Sequence, residues 1–500
     1  MKAFLAIVKQ TIRSATRSKV FHVLFFFIIL GVFLLPTTVS GDGTASGLVQ
    51  ITLTYSLNVV VALISTTTLW LSCSLLSREI EAYNIHLVVS KPCPRWKIWL
   101  GKWFGVVVMH GVILAISAVI IYGLTMWRVS HGNFTPGELE RLKREVLVGR
   151  RSFRPVFPDF AKEAEKDYER RLSEFPEDHD PEVTKGDIMR QMMATYGSVK
   201  PGEQKEWTFR NVKLSSDQED IFLRYRMFSG DTKDTNQKLI PCIWGFKLPP
   251  LASQTPDPFV MKAYSVAGGT YQEFSISEFL TGQMGPLPVT ATVKVNGEEQ
   301  QREGYIPVPA AFTIDKDKDN SLVVRFANLP PEAWGGIEPA TAVFQIADGP
   351  MILTKVTGFA ANYCRTMLLA LFQIAFLAAL GCTVGAAFST PVAAFAAIAY
   401  LVIGLSVQMA VTAPLRNDDG SYMYKNNYEK VNHKFAQLVS VLVVSVDDLD
   451  STADLARGAL VEYKRIGYTF VTMLLMRSGL LAALGMWILS RRELGAVIRK

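Results

Sequence analysis

Residues 366–413 read TMLLALFQIAFLAALGCTVGAAFSTPVAAFAAIAYLVIGLSVQMAVTA. The stretch holds no Asp, Glu, Lys or Arg, and only Ser389, Thr390 and Pro391 separate its two apolar halves. A helix needs about 20 apolar residues to cross a hydrocarbon core of about 30 Å, so there is length here for two crossings. Pro391 has a fixed φ and no amide hydrogen, which suits the first turn of a helix and not its interior. The expectation is a tight helical hairpin with spans at about Thr366–Phe388 and Val392–Ala413.

Four further apolar runs accompany the hairpin, at about Val20–Pro36, Ile51–Leu76, Trp103–Trp127 and Gly467–Leu489. The first is dense in Phe25, Phe26, Phe27, Ile28 and Ile29; the second is rich in Ser and Thr, whose hydroxyls can bond back to helix carbonyls. Of the 500 residues, 49% are hydrophobic and only 19% charged, against about a quarter charged in a soluble domain. The apolar excess sits toward both ends, and the middle reads as a soluble module. The fold expected is a polytopic α-helical membrane protein with six transmembrane helices and an inserted extracytoplasmic domain.

Before the first run, Lys2, Lys9, Arg13, Arg17 and Lys19 interleave with Phe4, Ile7, Val8 and Ile12 at helical spacing. This is the pattern of an interfacial amphipathic helix over residues 1–19. A signal peptide is the rival reading, but the charged region is long and no A-x-A cleavage site follows. Basic residues also crowd the segment after the second span (Arg78, Lys91, Arg95, Lys97, Lys102) and the C-terminus (Arg491, Arg492, Arg499, Lys500). The positive-inside rule places these, and both termini, in the cytoplasm. The net charge of +7 is therefore read as membrane topology, with no nucleic-acid partner expected. The plan is spans 1–3 over residues 20–127, with a cytoplasmic segment at 77–102. An extracytoplasmic domain follows over 128–360, spans 4–5 over 361–413, an extracytoplasmic segment over 414–466, and the last span with its cytoplasmic tail over 467–500.

The insert is expected to be helical first and β-sandwich-like after. Pro136 and Pro158 open charged helical stretches, and a third helix is expected at about Pro181–Tyr196. From Lys205 the apolar period becomes two. Trp207 and Phe209 flank Thr208; Ile221, Leu223, Tyr225 and Met227 share a face; Val289 to Val295 alternate up to Asn296-Gly297, a hairpin signal; and Leu322, Val324 and Phe326 alternate again.

Catalytic patterns are missing. There is no G-x-x-x-x-G-K-[ST] loop, so any use of ATP would need another polypeptide, and no G-x-S-x-G elbow. No catalytic, cofactor-binding or metal-binding residue is expected. The six histidines have no metal-ligand spacing. Cys73, Cys93, Cys242, Cys364 and Cys382 show no C-x-x-C pair, which leaves a Cys242–Cys364 bond as the one conceivable disulfide. Asp315, Asp317 and Asp319 resemble the start of a calcium loop, but Asn320 and Phe326 stand where Gly and Glu are needed, so a solvated turn is the better reading. Two intramembrane polar residues are candidate sites because charge is costly there: His110 in the third span and Arg477 in the sixth. For His110 the plainer alternative is a packed, hydrogen-bonded histidine; for Arg477 it is a structural pair, with Asp447, Asp448 and Asp450 as candidate partners.

The segment Ser77–Lys102 reads SREIEAYNIHLVVSKPCPRWKIWLGK. Arg78–Val89 can form a short amphipathic helix with Ile80, Ile85 and Val89 on its apolar side. Lys91-Pro92 breaks it, and a Trp-rich basic helix leads back into the third span. Here the chain resembles the permease family of type-2 ATP-binding-cassette transporters. The matching residues are Ser77–Glu81, Ser90–Pro92, Arg95 and Gly101–Lys102; the tight turn at Ser389–Pro391 and the run Ser490–Leu494 are also similar. The resemblance implies coupling to a cytoplasmic ATPase through Arg78, Glu79, Ile80, Glu81, Lys91, Pro92 and Arg95. It also implies that ATP and Mg are used by that partner subunit, and that a second permease copy or paralogue completes the assembly in the lipid of a bacterial inner membrane. A periplasmic partner for the insert is a further candidate, since the insert departs from the family's usual short loop.

The function expected is thus the membrane-spanning permease subunit of an exporter with no ATPase of its own. The alternative is a non-transporting scaffold or receptor that presents the β-rich domain, and a membrane-embedded enzyme ranks last for want of a catalytic motif.

Overall fold

The computed structural model describes residues 2–38, 43–82, 94–174, 185–214, 216, 219–230, 239–248, 259–295, 298–335, 338–346, 348–412, 427–442 and 452–492. The chain divides into two compact units. One comprises residues 1–149, 357–413 and 425–500; the other comprises 150–356 and 414–424.

The first unit holds six helices long and apolar enough to cross a membrane: span 1 (Lys19–Thr38), span 2 (Ala45–Glu81), span 3 (Arg95–His131), span 4 (Phe359–Ala387), span 5 (from Thr390) and span 6 (Tyr463–Arg491). Helix α1 (Lys2–Thr16) precedes them and buries Ile7, Val8, Thr11 and Ala15, one stripe at helical spacing. Spans 2 and 3 are longer than their apolar runs. Thr44 caps span 2 by accepting from the Gly47 amide at 3.0 Å, and several of the span's Thr and Ser hydroxyls donate one turn back, Thr67 to the Leu63 carbonyl at 2.6 Å and Thr68 to that of Ile64 at 2.7 Å among them. Span 2 also continues through Ser77–Glu81, so Arg78–Glu81 form its last turn and do not start a separate helix. Residues 83–93, where the remainder of that helix and Lys91-Pro92 would lie, are outside the described residues. Likewise the Trp-rich stretch from Arg95 is the first part of span 3 itself.

Side-chain bonds fix the directions of the spans. Glu79 meets Lys102, and Trp103 Nε1 donates to the Ala375 carbonyl while Tyr363 Oη donates to that of Ala118, so span 3 runs antiparallel to spans 2 and 4. Spans 2 and 4 are parallel: Gln373 donates to Ser65, and Gly385 lies against Cys73. A Cβ at Gly385 would stand 2.5 Å from the Cys73 carbonyl oxygen, so only glycine lets these backbones approach. At one end of the bundle, α1 packs on the start of span 3, where a Cβ at Gly101 or Gly105 would meet Ile7 at 2.7 Å or Thr11 at 2.8 Å. At the other end, Asn362 donates to the Ala459 carbonyl at 2.7 Å and accepts from the Val461 amide at 2.9 Å. The helix Pro136–Glu145, held by a capping box between Thr135 and Glu138, also belongs to this unit: Leu142 and Val146 join a core that contains Val49, Phe359 and Leu455. The insert expected from residue 128 therefore gives its first helix to the span unit.

Span 6 is not uniformly α-helical. Phe470–Arg477 form a π-helical segment, followed by α-helix over Ser478–Arg491, and Ser478 Oγ donates to the carbonyl of Met473 at 2.8 Å. Such segments are rare and recur at functional sites.

In the second unit, the helices Phe160–Glu174 and Lys185–Tyr196 are joined to a mostly antiparallel β-region. One sheet has the order β11 (Ile314–Asp315), β12 (Ser321–Asn328), β6 (Leu239–Lys247), β7 (Phe259–Ala267), and β3 (Gln204–Phe209) also pairs with β12. A second has the order β1 (Val148–Phe153), β14 (Met351–Gly358), β4 (Ile221–Arg226), β8 (Tyr271–Ser275). The expected alternations hold: Trp207 and Phe209, Ile221, Leu223 and Tyr225, and Leu322, Val324 and Phe326 are all buried. They surround an aromatic core in which the Trp244 ring lies 4.5 Å from Tyr225 and 4.9 Å from Phe326. The strands Leu287–Val295 and Glu298–Ile306 pair with Val295 opposite Glu298; Asn296-Gly297 between them lies outside the described residues. Asp315 Oδ1 accepts from the Asp317 amide at 3.1 Å, and Asp319 and Asn320 have φ of 52° and 48°, which is a turn between strands. Cys242 and Cys364 are both free thiols, so the conceivable disulfide does not form; burial pushes the Cys242 thiol up to about 12.

Candidate functional site

The polar residues singled out at the end of span 2 meet three other segments of the span unit: α1, span 3 and span 5. Glu79 Oε1 accepts from Lys102 Nζ at 2.5 Å, with the Lys102 side chain 2% exposed and that of Glu79 13% exposed. A lysine at this depth would be too costly without an anionic partner. Glu81, one turn-position further on and exposed, accepts from the Thr390 amide at 3.1 Å. That amide is an orphan donor at the start of span 5, so Glu81 acts as a cap supplied by another helix. Ser77 Oγ lies 2.5 Å from Thr390 Oγ1. The tight turn read from Ser389–Pro391 is thereby fastened to the end of span 2.

Arg95 fastens span 6. Its Nη1 donates to the carbonyls of Leu489 at 2.9 Å, Ser490 at 2.6 Å and Arg492 at 3.1 Å. These include the carbonyls that a helix C-terminus leaves unpaired, where a cation is favoured. Arg492 in turn donates to the Ala386 carbonyl of span 4 at 2.6 Å. Ile80 is half-buried and packs with Leu76, Trp99 and Leu489. Arg78 points elsewhere, into a basic cavity beside α1.

The structure therefore brings Arg78, Glu79, Ile80, Glu81 and Arg95 to one end of the bundle, tied to spans 2, 3, 4, 5 and 6. Lys91 and Pro92 lie outside the described residues. Lys102, Thr390 and Arg492 lay within the segments that carry the family resemblance but were not among the residues expected to couple; each is a direct bonding partner at this end.

The two intramembrane candidates sit apart from this end. His110 is fully buried; its Nδ1 lies 3.1 Å from the Val106 carbonyl, and its Nε2 has no hydrogen-bond partner among the described residues. Arg477 ends the π-helical segment, and its Nη2 donates to the Ser440 carbonyl at 3.1 Å, at the end of the helix Asn427–Leu442. Asp447, Asp448 and Asp450 lie outside the described residues. Among the described residues no group of His, Cys, Asp and Glu is placed to hold a metal ion.

Residues 5–147 match the model of the family described as ABC-2 family transporter protein. The match covers α1, spans 1–3 and the helix after them, and so takes in the whole Ser77–Lys102 segment. No curated protein and no solved structure matches the chain.

Proposed function

With residues 5–147 supporting a permease component of an ABC transporter of the ABC-2 family, we propose that the chain moves substrate outward across a bacterial inner membrane. A separate cytoplasmic ATPase would drive it by pressing on Arg78–Glu81 and Arg95. The observation that carries this reading is the fastening of that end. Glu79 to Lys102, Glu81 to the Thr390 amide, Arg95 to the last carbonyls of span 6 and Arg492 to the Ala386 carbonyl of span 4 join five spans within a few residues. Coupling needs a stiff connection between the pushed surface and the spans, because a shift absorbed by a loop would reach nothing. The basic character of this end, with Lys9, Arg13, Arg17, Arg78, Arg95 and Lys97, supports the cytoplasmic side for it. ATP and Mg stay with the partner, and a second permease copy or paralogue completes the path.

The test is Glu81→Arg in the full chain. Glu81 is exposed, whereas Glu79 is buried against Lys102 and its replacement would disturb packing as well. The assembled complex is reconstituted, and ATP hydrolysis is measured against that of the ATPase alone. Loss of the permease-dependent change in hydrolysis, with assembly and melting intact, supports the reading. Purification of the tagged chain from its host without any P-loop ATPase overturns it, and favours a scaffold that presents residues 150–356.

A further inference from the structure

One face of α1 is not used for packing. Lys9 and Arg13 line up on α1 at a step of four, Arg17 just past the end of the helix continues the step, and all three are exposed. They edge a cavity of about 700 Å³ together with Gln10, Ser14 and, from span 2, Arg78. Among the described residues none of these four cations forms an ion pair, although the same end of the bundle pairs Lys102 with Glu79. Like charges one turn apart repel, so the stripe is unfavourable unless an anion lies across it. Gln10 and Ser14 add neutral hydrogen-bonding groups between the cations.

The depth of the cavity limits what can fill it. Span 1 begins at Lys19, two residues after Arg17, and Arg78 is in the last turn of span 2. At about 1.5 Å per residue, Arg17 and Arg78 are within a few ångströms of the span ends, and Arg13 and Lys9 follow at about one-turn steps along the chain. The opposite face of α1 is buried on Gly101 and Gly105 at the start of span 3, so the helix is held at that level. The apolar run of span 2 stops at Leu76, two residues before Arg78, so this is the level at which phosphate groups of a bilayer would lie, and interfacial helices with a basic face are attracted to anionic lipid. A volume of several hundred cubic ångströms suits one small-molecule-sized group.

We infer that the cavity edged by Lys9, Arg13, Arg17 and Arg78 is a binding site for the phosphate headgroup of an anionic phospholipid. The assignment is independent of whether the chain transports anything.

The full-length protein, purified in detergent, is incubated with equal amounts of phosphatidylglycerol and phosphatidylcholine of identical acyl chains, and bound lipid is counted by native mass spectrometry. Phosphatidylglycerol is expected to be retained over phosphatidylcholine by about tenfold. The K9Q/R13Q/R17Q variant is expected to bind the two equally, while K97Q/R491Q, which removes two cations of the same end from outside the cavity, keeps the preference. Equal retention by the unaltered protein overturns the assignment, as does a preference that survives in K9Q/R13Q/R17Q. Displacement of phosphatidylglycerol by millimolar inorganic phosphate identifies a free-anion site and also overturns it. If K9Q/R13Q/R17Q keeps its lipid preference but no longer co-purifies with its ATPase, the cavity serves an acidic protein surface and not lipid. Circular dichroism and gel filtration establish that each variant is folded.

Discussion

Lys102 shows what a single buried charge requires. At 2% exposure and flanked by Gly101 and Trp103, it depends on Glu79 for its only ion pair among the described residues. Breaking a buried pair by removing one partner costs about 3–5 kcal/mol, whereas replacing both by apolar groups is near neutral. Lys102→Met alone is therefore expected to lower the melting temperature in detergent by several degrees, and Lys102→Met with Glu79→Leu to recover most of the loss. Equal melting of the single and double variants would contradict this account. Asn362 is the counterpart at the other end of the bundle. Asn362→Ala strands the Val461 amide and the Ala459 carbonyl, at about 1–3 kcal/mol for each group left unsatisfied; the same melting assay reads it, with Asn362→Asp expected to recover part because it keeps the acceptor. In the β-region, Asp220 accepts from the Ile221 and Ser277 amides and from the Ser275 hydroxyl. Burial raises its carboxyl above the ordinary 3.8 in spite of those bonds. A raised carboxyl binds its proton more tightly folded than unfolded. Its contribution is thus fully present below pH 3.8, and stability falls as the pH rises from there to the folded value. Asp220→Asn is expected to flatten that acid-side slope in thermal unfolding followed across pH 3.5–6.

Elements were legible where their chemistry is local. The hairpin of spans 4 and 5 follows from an uncharged run broken only at Ser389–Pro391, and the strands β3, β4 and β12 follow from alternation at Trp207, Leu223 and Val324. The capping box at Thr135–Glu138 shows as Thr-x-x-Glu in the sequence. What was not legible depended on partners distant in the chain. The apolar run of span 2 stops at Leu76, but the helix runs on to Glu81 because Glu79 and Glu81 find Lys102 and Thr390 on other spans. Nothing near Ser389 announces that its neighbour's amide is capped by a residue over three hundred positions away. The helix Pro136–Glu145 looked solvated, and only Leu142 and Val146 commit it to the bundle. The parallel pair of spans 2 and 4 rests on Gly385, so Gly385→Val is expected to force the two backbones apart and abolish recovery of monodisperse protein in gel filtration, with Gly467→Ala, where a Cβ meets open space, unaffected.

At the scale of the whole molecule, the ends of the spans differ in chemistry. One end gathers α1 with its lysines and arginines, Arg78, Arg95, Lys97 and Arg492; the other carries Arg128 and Arg365 as well, pairs Arg465 with Asp454, and is joined further through Asn58, Asn362, Thr452 and Val461. The positive-inside rule, applied to the short basic segments, predicts that the α1 end is cytoplasmic. In a cysteine-free background, Leu5→Cys, exposed on α1, is expected to react with an impermeant maleimide only in inverted vesicles, and Lys316→Cys in the β-region only in intact cells or right-side-out preparations. Reaction of both from the same side would overturn the six-span plan. Sequence reading reached the six spans from the lengths of the apolar runs; it missed the irregularity in the last span, because no residue pattern marks π-helical bonding. That irregularity has a mechanical consequence. Span 6 is clamped at one end by Arg95 on Leu489, Ser490 and Arg492, and Arg465 pairs with Asp454 near its beginning. Between the clamps, Phe470–Arg477 are wound more loosely than the rest. A π-helical segment holds more residues per turn than an α-helical one, so rewinding it would lengthen the span and twist one held end against the other. The last span is a coil with slack in its middle, and a pull at Arg95 is expected to be taken up there first.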